Sequence, residues 1–260
     1  MNVKLLKVFA GVAGLAMATF GAGQAGAQTS EVKEKPALYT YIANWNIPRA
    51  QWPEVEKASA ANQKILDKAV ADGTIVGYGD DVTLVHQADG TTHDDWWSAM
   101  SLAGVLKVLD QFTKSGGSSA SVLDSATSHF DSVYESRFYN WRSGSWKDGY
   151  TYTASYRLKP DAPSNAVETL SKKLIVPLLE KLFADGTLQE YEVDTQAIHT
   201  EAPGSFLIVY VAKNAAGLDT VNAALEEAIK ANPLSGVAFQ SLVDLAAHHD
   251  DLSLTSASYK

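Results

Sequence analysis

The chain contains no cysteine. This absence excludes disulfide cross-links, thiolate catalysis and cysteine-ligated metal centres, so the fold must be held together by packing. The sequence also lacks a nucleophile elbow with a Ser-His-Asp set, a glycine-rich phosphate loop and an HExxH helix. The familiar signatures of serine hydrolases, nucleotide-binding proteins and zinc proteases are therefore missing.

Positive charge is scarce. The chain has 21 basic and 30 acidic residues, which gives a formal net charge of -9. A negative protein repels phosphate backbones and anionic membrane surfaces at long range, so neither is expected as a partner. Beyond the first residues no apolar run is long enough to span a bilayer, and we expect the mature chain to be free of the membrane.

The first 27 residues have the pattern of a secretory signal peptide. Lys4 and Lys7 precede a short apolar run over 8–20, and small residues then end in an A-x-A pattern at 25–27. A positive start, a short apolar region and this ending are typical of a cleavable signal. We therefore expect export, to the periplasm or as a secreted protein.

The remaining chain contains an internal repeat. Three blocks recur in the same order, and the offset between copies grows from 111 to 113 to 120 residues. The blocks are 39–43 with 150–154, 71–75 with 184–188, and His129 to Asp131 with His249 to Asp251. Ordered recurrence indicates a duplicated structural unit. The predicted organisation is a signal peptide 1–27, an N-terminal extension 28–37, a first repeat 38–137, a linker 138–149 and a second repeat 150–260.

Each half has the predicted element order βαββαβ. Alternating aromatic and β-branched residues predict its first strand, and an amphipathic stripe predicts the helix that follows. Pro177 predicts a kink or a restart in the second copy of that helix, and Gly73 and Gly186 are predicted left-handed residues at helix ends. This order defines a ferredoxin-like unit, and two such units can bury their free sheet faces against each other.

The element order and its duplication resemble the dimeric α+β-barrel superfamily in its fused two-repeat form, from about Leu38 to the C-terminus. The resemblance implies an α+β fold of two tandem ferredoxin-like repeats whose antiparallel sheets pack as an intramolecular α+β barrel. The superfamily includes haem-binding peroxidase-like and chlorite-dismutase-like enzymes, cofactor-independent monooxygenases of aromatic compounds, and small stress-response proteins. The Gly-x-x-Asp-Gly stretch of the dye-decolorising haem enzymes is not matched at 77–81, so haem is not expected, and the cofactor stays open.

Histidines that the two halves share are candidates for chemistry. His86 and His199 end the second predicted strand of each half, and His129 and Asp131 precede the last strand of the first half. If these strands meet, two imidazoles and a carboxylate suit Zn²⁺, a non-haem iron, or a His–Asp acid/base pair. The alternative is that each histidine hydrogen-bonds the backbone locally, with the aspartate capping a turn.

The first half is the expected location of such a site. Gly77 and Gly79 lie in its second strand, where glycine lets a backbone or a ligand approach closely. The candidate catalytic residues are therefore His86, His129 and Asp131.

Aromatic residues on the first and third strands are candidates for ligand binding. Trp96 and Trp97 are adjacent in a strand, so one must face the helices and the other the space between the sheets. Together with aromatic residues of the first strand they suit a flat apolar ligand, unless they are ordinary core residues. The candidate ligand-binding residues are Tyr39, Tyr41, Trp45, Trp96 and Trp97.

These features predict an exported protein that binds or oxidises a small apolar or aromatic molecule. The alternative is a non-catalytic module that forms an oligomer or engages a partner, since the sequence holds no complete catalytic constellation.

Overall fold

The computed structural model of the protein describes residues 32–85, 90–115 and 121–260. The expected signal peptide lies outside these ranges. Within them, no helix combines the length and the apolar character needed to cross a bilayer.

The described residues form strands and helices in the predicted order. The strands are β1 (Leu38–Asn46), β2 (Gly77–Thr83), β3 (His93–Ala99), β4 (Ser128–Trp141), β5 (Gly144–Arg157), β6 (Leu188–Ile198), β7 (Ser205–Ala212) and β8 (His249–Tyr259). The helices are α1 (Trp52–Ala71), α2 (Leu102–Ser115), α3 (Ser121–Asp124), α4 (Ala166–Leu170), α5 (Val176–Ala184), α6 (Ala215–Ala231) and α7 (Pro233–Leu242), with a π-helix (Ser171–Ile175) between α4 and α5.

The strands close into one antiparallel barrel. Its order is β1-β3-β2-β8-β5-β7-β6-β4, with β4 returning to β1. The first half contributes β4-β1-β3-β2 and the second β8-β5-β7-β6, which is the same ferredoxin-like order twice. The halves join along two seams, β2 with β8 and β4 with β6. The predicted fold class, an intramolecular α+β barrel of two repeats, is confirmed.

The segment expected to be a linker, 138–149, is largely strand. β4 continues to Trp141 because its first part pairs with β1 and its later part with β6. β5 begins at Gly144, so residues 142–143 alone separate the two strands. The connection between the repeats is therefore part of the barrel wall, and its aromatic residues pack there, as Trp141 does on Tyr259 at 5.2 Å between ring centroids.

Helices cover the outside of the barrel. In the first half, Val105 and Phe112 of α2 pack with Trp97 in one hydrophobic core. In the second half, Leu179 of α5 and Val221 of α6 are buried in the corresponding core. These cores hold the helices on the outer face, which leaves the inner face of the wall to form the interior of the barrel.

The local signals read from the sequence hold in the structure. Pro177 lies at the start of α5, directly after the π-helix, so the predicted restart is confirmed. Gly73 and Gly186 follow α1 and α5 with φ of 77° and 86°. A residue with a Cβ is strained at such angles, which explains glycine at both positions.

Candidate functional site

The alternation of side chains along a strand assigns each residue of the wall to the helix side or to the interior. In β1, Tyr41 belongs to the core under the helices, whereas Thr40 and Ile42 line the interior. The same rule turns three acidic residues of β6 inward. They are Glu190, Glu192 and Asp194.

The barrel encloses a cavity of about 480 Å³. Sites for small molecules occupy roughly 300–1,000 Å³, so the volume suits a small ligand. Much of the wall consists of hydroxyl groups, contributed by Ser98, Ser132, Thr151, Thr153 and Ser253. An apolar strip runs along β7 and consists of Leu207, Val209 and Val211.

Carboxylates dominate the electrostatics of the cavity. Asp81 and the three acidic residues of β6 are buried in its wall, and the partly exposed Asp94 joins them. Among the described lining residues there is no lysine or arginine. Burial without a cationic partner favours the protonated form of a carboxyl group. It raises the pKa of Asp81 to about 7, and burial likewise raises the pKa of Glu190, Glu192 and Asp194.

Neighbouring side chains satisfy part of the hydrogen-bonding capacity of these groups. The Trp96 Nε1 group donates to Asp81 at 3.2 Å, and the Thr255 hydroxyl also donates to Asp81. The Tyr259 hydroxyl reaches across the barrel and donates to Glu190 at 2.5 Å.

Other polar atoms of the cavity wall have no hydrogen-bond partner in the described part of the chain. They are Asp94 Oδ1 and Ser132 Oγ. The carboxyl groups of Glu190, Glu192 and Asp194, by contrast, hydrogen-bond to one another along β6. Glu192 is only 4% exposed and Ser132 only 2% exposed. Buried polar groups in proteins are almost always hydrogen-bonded, so Asp94 Oδ1 and Ser132 Oγ require partners that the described residues do not supply.

Aromatic rings close one end of the cavity. Trp96 and Tyr259 lie 5.7 Å apart between ring centroids, and Trp141 stacks on Tyr259. A Cβ on Gly77 would lie 2.1 Å from the Tyr259 ring, and one on Gly79 would lie 2.4 Å from the Trp96 ring. The close approach expected at these glycines is made by the protein itself, by the two aromatic rings and, at Gly79, by the backbone carbonyl of Ser256.

The opposite end of the cavity reaches the surface. Phe130 lines the cavity and is 50% exposed, and the exposed residues Glu201 and His249 line it as well. A molecule could therefore enter between the first residues of β4 and β8.

The five predicted ligand-binding residues divide between the two faces of the wall. Trp96 lines the interior. Tyr41 and Trp97 stack on each other at 4.3 Å in the core under the helices, where the Trp97 Nε1 group donates to the carbonyl of Val105. Tyr39 and Trp45 pack against that same core. Adjacent residues of a strand point to opposite faces of the sheet, and alternate residues share a face. The five residues therefore do not form one pocket.

Of the predicted catalytic residues, His129 and Asp131 come together, whereas His86 lies outside the described residues. His129 Nε2 lies 3.3 Å from Asp131 Oδ1, and its Nδ1 atom lies 3.0 Å from the carbonyl oxygen of Asn44. Its ring stacks on Trp45 at 3.6 Å, and the Tyr41 hydroxyl donates to Asp131 at 2.6 Å. Both ring nitrogens are thus engaged by the protein, which favours the local structural alternative over acid/base catalysis.

The second half repeats this arrangement with different residues from those that the sequence offset suggests. His248 Nε2 lies 3.3 Å from Asp250 Oδ1, its Nδ1 atom lies 3.0 Å from the carbonyl oxygen of Ser155, and its ring stacks on Tyr156. The counterparts of His129 and Asp131 are therefore His248 and Asp250, and the matching of His129 and Asp131 to His249 and Asp251 is wrong by one residue. Strand pairing explains the correction, since Asp131 is opposite Ala43 in β1 and Asp250 is opposite the equivalent Ala154 in β5.

The contacts of His248 with Asp250, the carbonyl of Ser155 and the ring of Tyr156, called here the His248 clamp, should make the free energy of unfolding depend on pH. The hydrogen bond to Asp250 raises the pKa of His248 above its ordinary value. A raised pKa means that the imidazolium form stabilises the folded state below pH ~6.5, and that this contribution is lost as the pH rises through the folded-state pKa. We expect His248→Gln to lower the free energy of unfolding by about 1–3 kcal/mol at pH ~5.5 and by less at pH ~8.5, measured by urea denaturation.

The adjacent His249 provides the control for this measurement, because its side chain is 54% exposed and lies 3.8 Å from Asp251. His249→Gln should change the free energy of unfolding little at either pH. Equal losses for the two variants, or a His248→Gln loss that is the same at both pH values, would argue against the clamp.

The interior carboxylates were not among the residues predicted from the sequence. The signal that could have found them is the period of two in β6, where Glu190, Glu192 and Asp194 alternate with Tyr191 and Val193. Such an alternation usually indicates that the polar face meets solvent. The described residues contain no group of three or more histidine, aspartate or glutamate side chains arranged to hold a metal ion.

Comparison with known proteins places the fold but not a family. No family model and no curated protein matches the chain. A candidate monooxygenase from Lactobacillus acidophilus aligns over 86% of this chain and 96% of its own, with a TM-score of 0.61 and 10% identity. A candidate monooxygenase from Fusobacterium nucleatum aligns over 87% and 95%, with a TM-score of 0.60 and 8% identity. An anthrone oxidase-like protein aligns over 88% and 97%, with a TM-score of 0.51 and 9% identity. The likeness shows a shared α+β-barrel fold.

Proposed function

We propose that the protein is an exported small-molecule-binding protein and that the interior of the barrel is its binding site. The observation that carries this proposal is the 480 Å³ cavity, open at one end, whose wall holds buried polar atoms without partners in the described residues. A bound molecule would supply those partners. The signal-peptide pattern of residues 1–27 supports export.

This location differs from a site between the sheet and the helices. In the first half that space holds a packed core, in which Tyr41, Trp97, Val105, Val108 and Phe112 are all buried. The interior is also too rich in carboxylates for the flat apolar ligand that the aromatic residues suggested. Ligand binding inside the barrel is the reading that the geometry supports best.

Oxidation of the bound molecule is a second candidate function. It is favoured by the likeness in fold to two candidate monooxygenases and an anthrone oxidase-like protein. Fold alone does not carry a reaction from one protein to another, so this candidate depends on a direct assay.

Blocking the cavity should abolish binding. Val209 lines the cavity on β7, and an indole at this position would occupy the space that a ligand needs. A thermal-shift screen of amines, aromatic ketones and sugars would identify compounds that stabilise the wild type. These compounds should bind Val209→Trp at least tenfold more weakly, which is a loss of about 1.4 kcal/mol or more in binding free energy. Val237→Trp is the matched control, because Val237 is 56% exposed on α7.

Circular dichroism of both variants would establish that the barrel still folds. Compounds that bind Val209→Trp as tightly as the wild type would place the binding site elsewhere and overturn the proposal. The compounds that bind should also be tested for oxygen uptake in an oxygen electrode. Uptake that requires both the protein and the compound would support oxidation, and no uptake by any bound compound would count against it.

A further inference from the structure

The three carboxylates of β6 stand in a row on the inner face of the strand. The Cα atoms of alternate strand residues are about 6.6 Å apart, and the carboxyl groups of Glu190, Glu192 and Asp194 hydrogen-bond to one another along the cavity wall. Asp81 acts on this row from β2, because its charge contributes to the raised pKa of Glu190. The interior is thus an elongated acidic surface rather than a single point of charge.

An aliphatic strip lies beside this acidic row. In the pairing of β6 with β7, Glu190 is opposite Val211, Glu192 is opposite Val209 and Asp194 is opposite Leu207. All six residues line the cavity. A ligand that lies along β6 therefore meets carboxylates on one side and methyl groups on the other.

A metal ion does not suit this arrangement. Hard cations need several oxygen ligands at about 2.0–2.6 Å from one point, and no three acidic or histidine side chains of the described residues converge in this way. The Ser132 hydroxyl, which lies in the same wall and is almost fully buried, also lacks a partner in the described chain. A ligand with several hydrogen-bond donors would engage the carboxyl row and the Ser132 hydroxyl at more points than an ion would.

We infer that the ligand of the barrel interior is an organic polycation of the linear polyamine class. This inference rests on the proposed function, that is, on binding inside the barrel. The ammonium groups of such a molecule are separated by short methylene chains, so they can pair with the carboxylates of β6 while the methylenes contact the strip on β7. Trp96, which lines the cavity, would lie near a terminal ammonium group at the closed end of the cavity.

The test measures the binding of spermidine by isothermal titration calorimetry at about 150 mM salt, which screens exposed charges on this acidic protein. Putrescine, butylamine and MgCl₂ are the comparators. Each buried ammonium–carboxylate pair contributes a charge-assisted hydrogen bond, so spermidine should bind about tenfold more tightly than putrescine and more tightly still than butylamine. Mg²⁺ at equal concentration should not displace it.

Paired carboxamide variants locate the binding. Glu192→Gln with Asp194→Asn should weaken spermidine binding by about tenfold or more, because two of the three carboxylates of the row are neutralised. The matched control is Glu226→Gln with Glu227→Gln, which removes two exposed charges from α6 and should change the affinity by less than about twofold. The interior variant is expected to fold, since it removes carboxylates that are costly to bury.

The outcomes separate this inference from the function on which it rests. Binding of spermidine that is lost in both the interior carboxamide variant and Val209→Trp supports both proposals. If neutral or aromatic compounds bind and Val209→Trp blocks them while spermidine does not bind, the polyamine inference is overturned and the binding site stands. Spermidine binding that Mg²⁺ abolishes, or that the α6 variant weakens as much as the interior one, would mean surface charge attraction and would also overturn the inference.

Discussion

The free energy of unfolding should increase as the pH falls from about 8 to about 5. Asp81, Glu190, Glu192 and Asp194 are buried inside the barrel, and their burial raises the pKa of each. A carboxyl group with a raised folded-state pKa binds protons more tightly in the folded state than in the unfolded state. Its stabilising contribution is complete below the unfolded-state pKa and is lost as the pH rises through the folded-state pKa.

Asp81 sets the scale of this effect. Its pKa rises from 3.8 to about 7. Each pKa unit corresponds to about 1.4 kcal/mol, so full ionisation of Asp81 opposes folding by about 4 kcal/mol. The range should end near pH 5, because carboxyl groups with a lowered pKa, such as Asp72 and Asp244, lose stabilising interactions in more acidic solution. Urea denaturation at several pH values would measure the slope.

A carboxamide variant tests the cause. Glu192→Gln should raise the free energy of unfolding at pH ~8 by about 1–3 kcal/mol, change it little at pH ~5, and so flatten the slope. Glu227→Gln on the exposed face of α6 is the control and should leave the slope as it is. A wild-type protein that is most stable near pH 8 would contradict this account of the interior. A variant that gains stability while it loses spermidine affinity would show that these carboxylates are kept for binding.

Gly79→Ala should strongly destabilise the barrel. A Cβ at this position would lie 2.4 Å from the Trp96 ring and 2.6 Å from the carbonyl oxygen of Ser256, which belongs to the paired strand β8. The backbone oxygen cannot move aside without disturbing the seam between the two halves. Overpacking of this kind costs typically 1–3 kcal/mol and more where the backbone must shift, so we expect a loss of about 3 kcal/mol in thermal or urea unfolding.

Gly236→Ala is the matched control, because a Cβ there meets no atom within 4 Å. Gly236 lies inside α7, where alanine is favoured over glycine by up to about 1 kcal/mol. The two substitutions should therefore change stability in opposite directions. A Gly79→Ala protein as stable as the wild type would mean that the interior of the barrel is looser than the contacts of Trp96 indicate.

The fold could be read from the sequence because its signals are local and occur twice. The alternation in the first strand of each half, the restart at Pro177 and the glycines at helix ends each report on their own surroundings, and the duplication allows one half to check the other. The strand conformation of the linker between the repeats could not be read in this way. Residues 138–141 are strand because β4 extends beyond β1 to pair with β6, and residues 144–149 are strand because β5 pairs with β8. Pairing between distant segments leaves no local pattern.

A related physical reason explains why the interior site could not be predicted from the sequence. A carboxylate on every second residue has the same pattern whether that face meets solvent or a closed cavity, and only barrel closure distinguishes the two. The one-residue error in matching His129 to His249 arose because His248 and His249 are adjacent in the sequence. A sequence alignment of the two repeats can match His129 to either of them. The pairing of Asp250 with Ala154 of β5 and the contact of His248 with Asp250 identify His248 as the counterpart.

The two seams of the barrel are lined by different residues, and this asymmetry has a consequence for how such an interior can evolve. In the repeat alignment, Gly77 and Gly79 of β2 occupy the positions of Glu190 and Glu192 of β6, so one half supplies small residues and aromatic rings where the other supplies acid. Two identical subunits related by a twofold axis would have to line both seams alike. Joining the halves in one chain removes that requirement, because each half can then change independently. The interior can therefore have one closed aromatic end and one acidic wall, with no second copy of either, and so bind a ligand whose two ends differ.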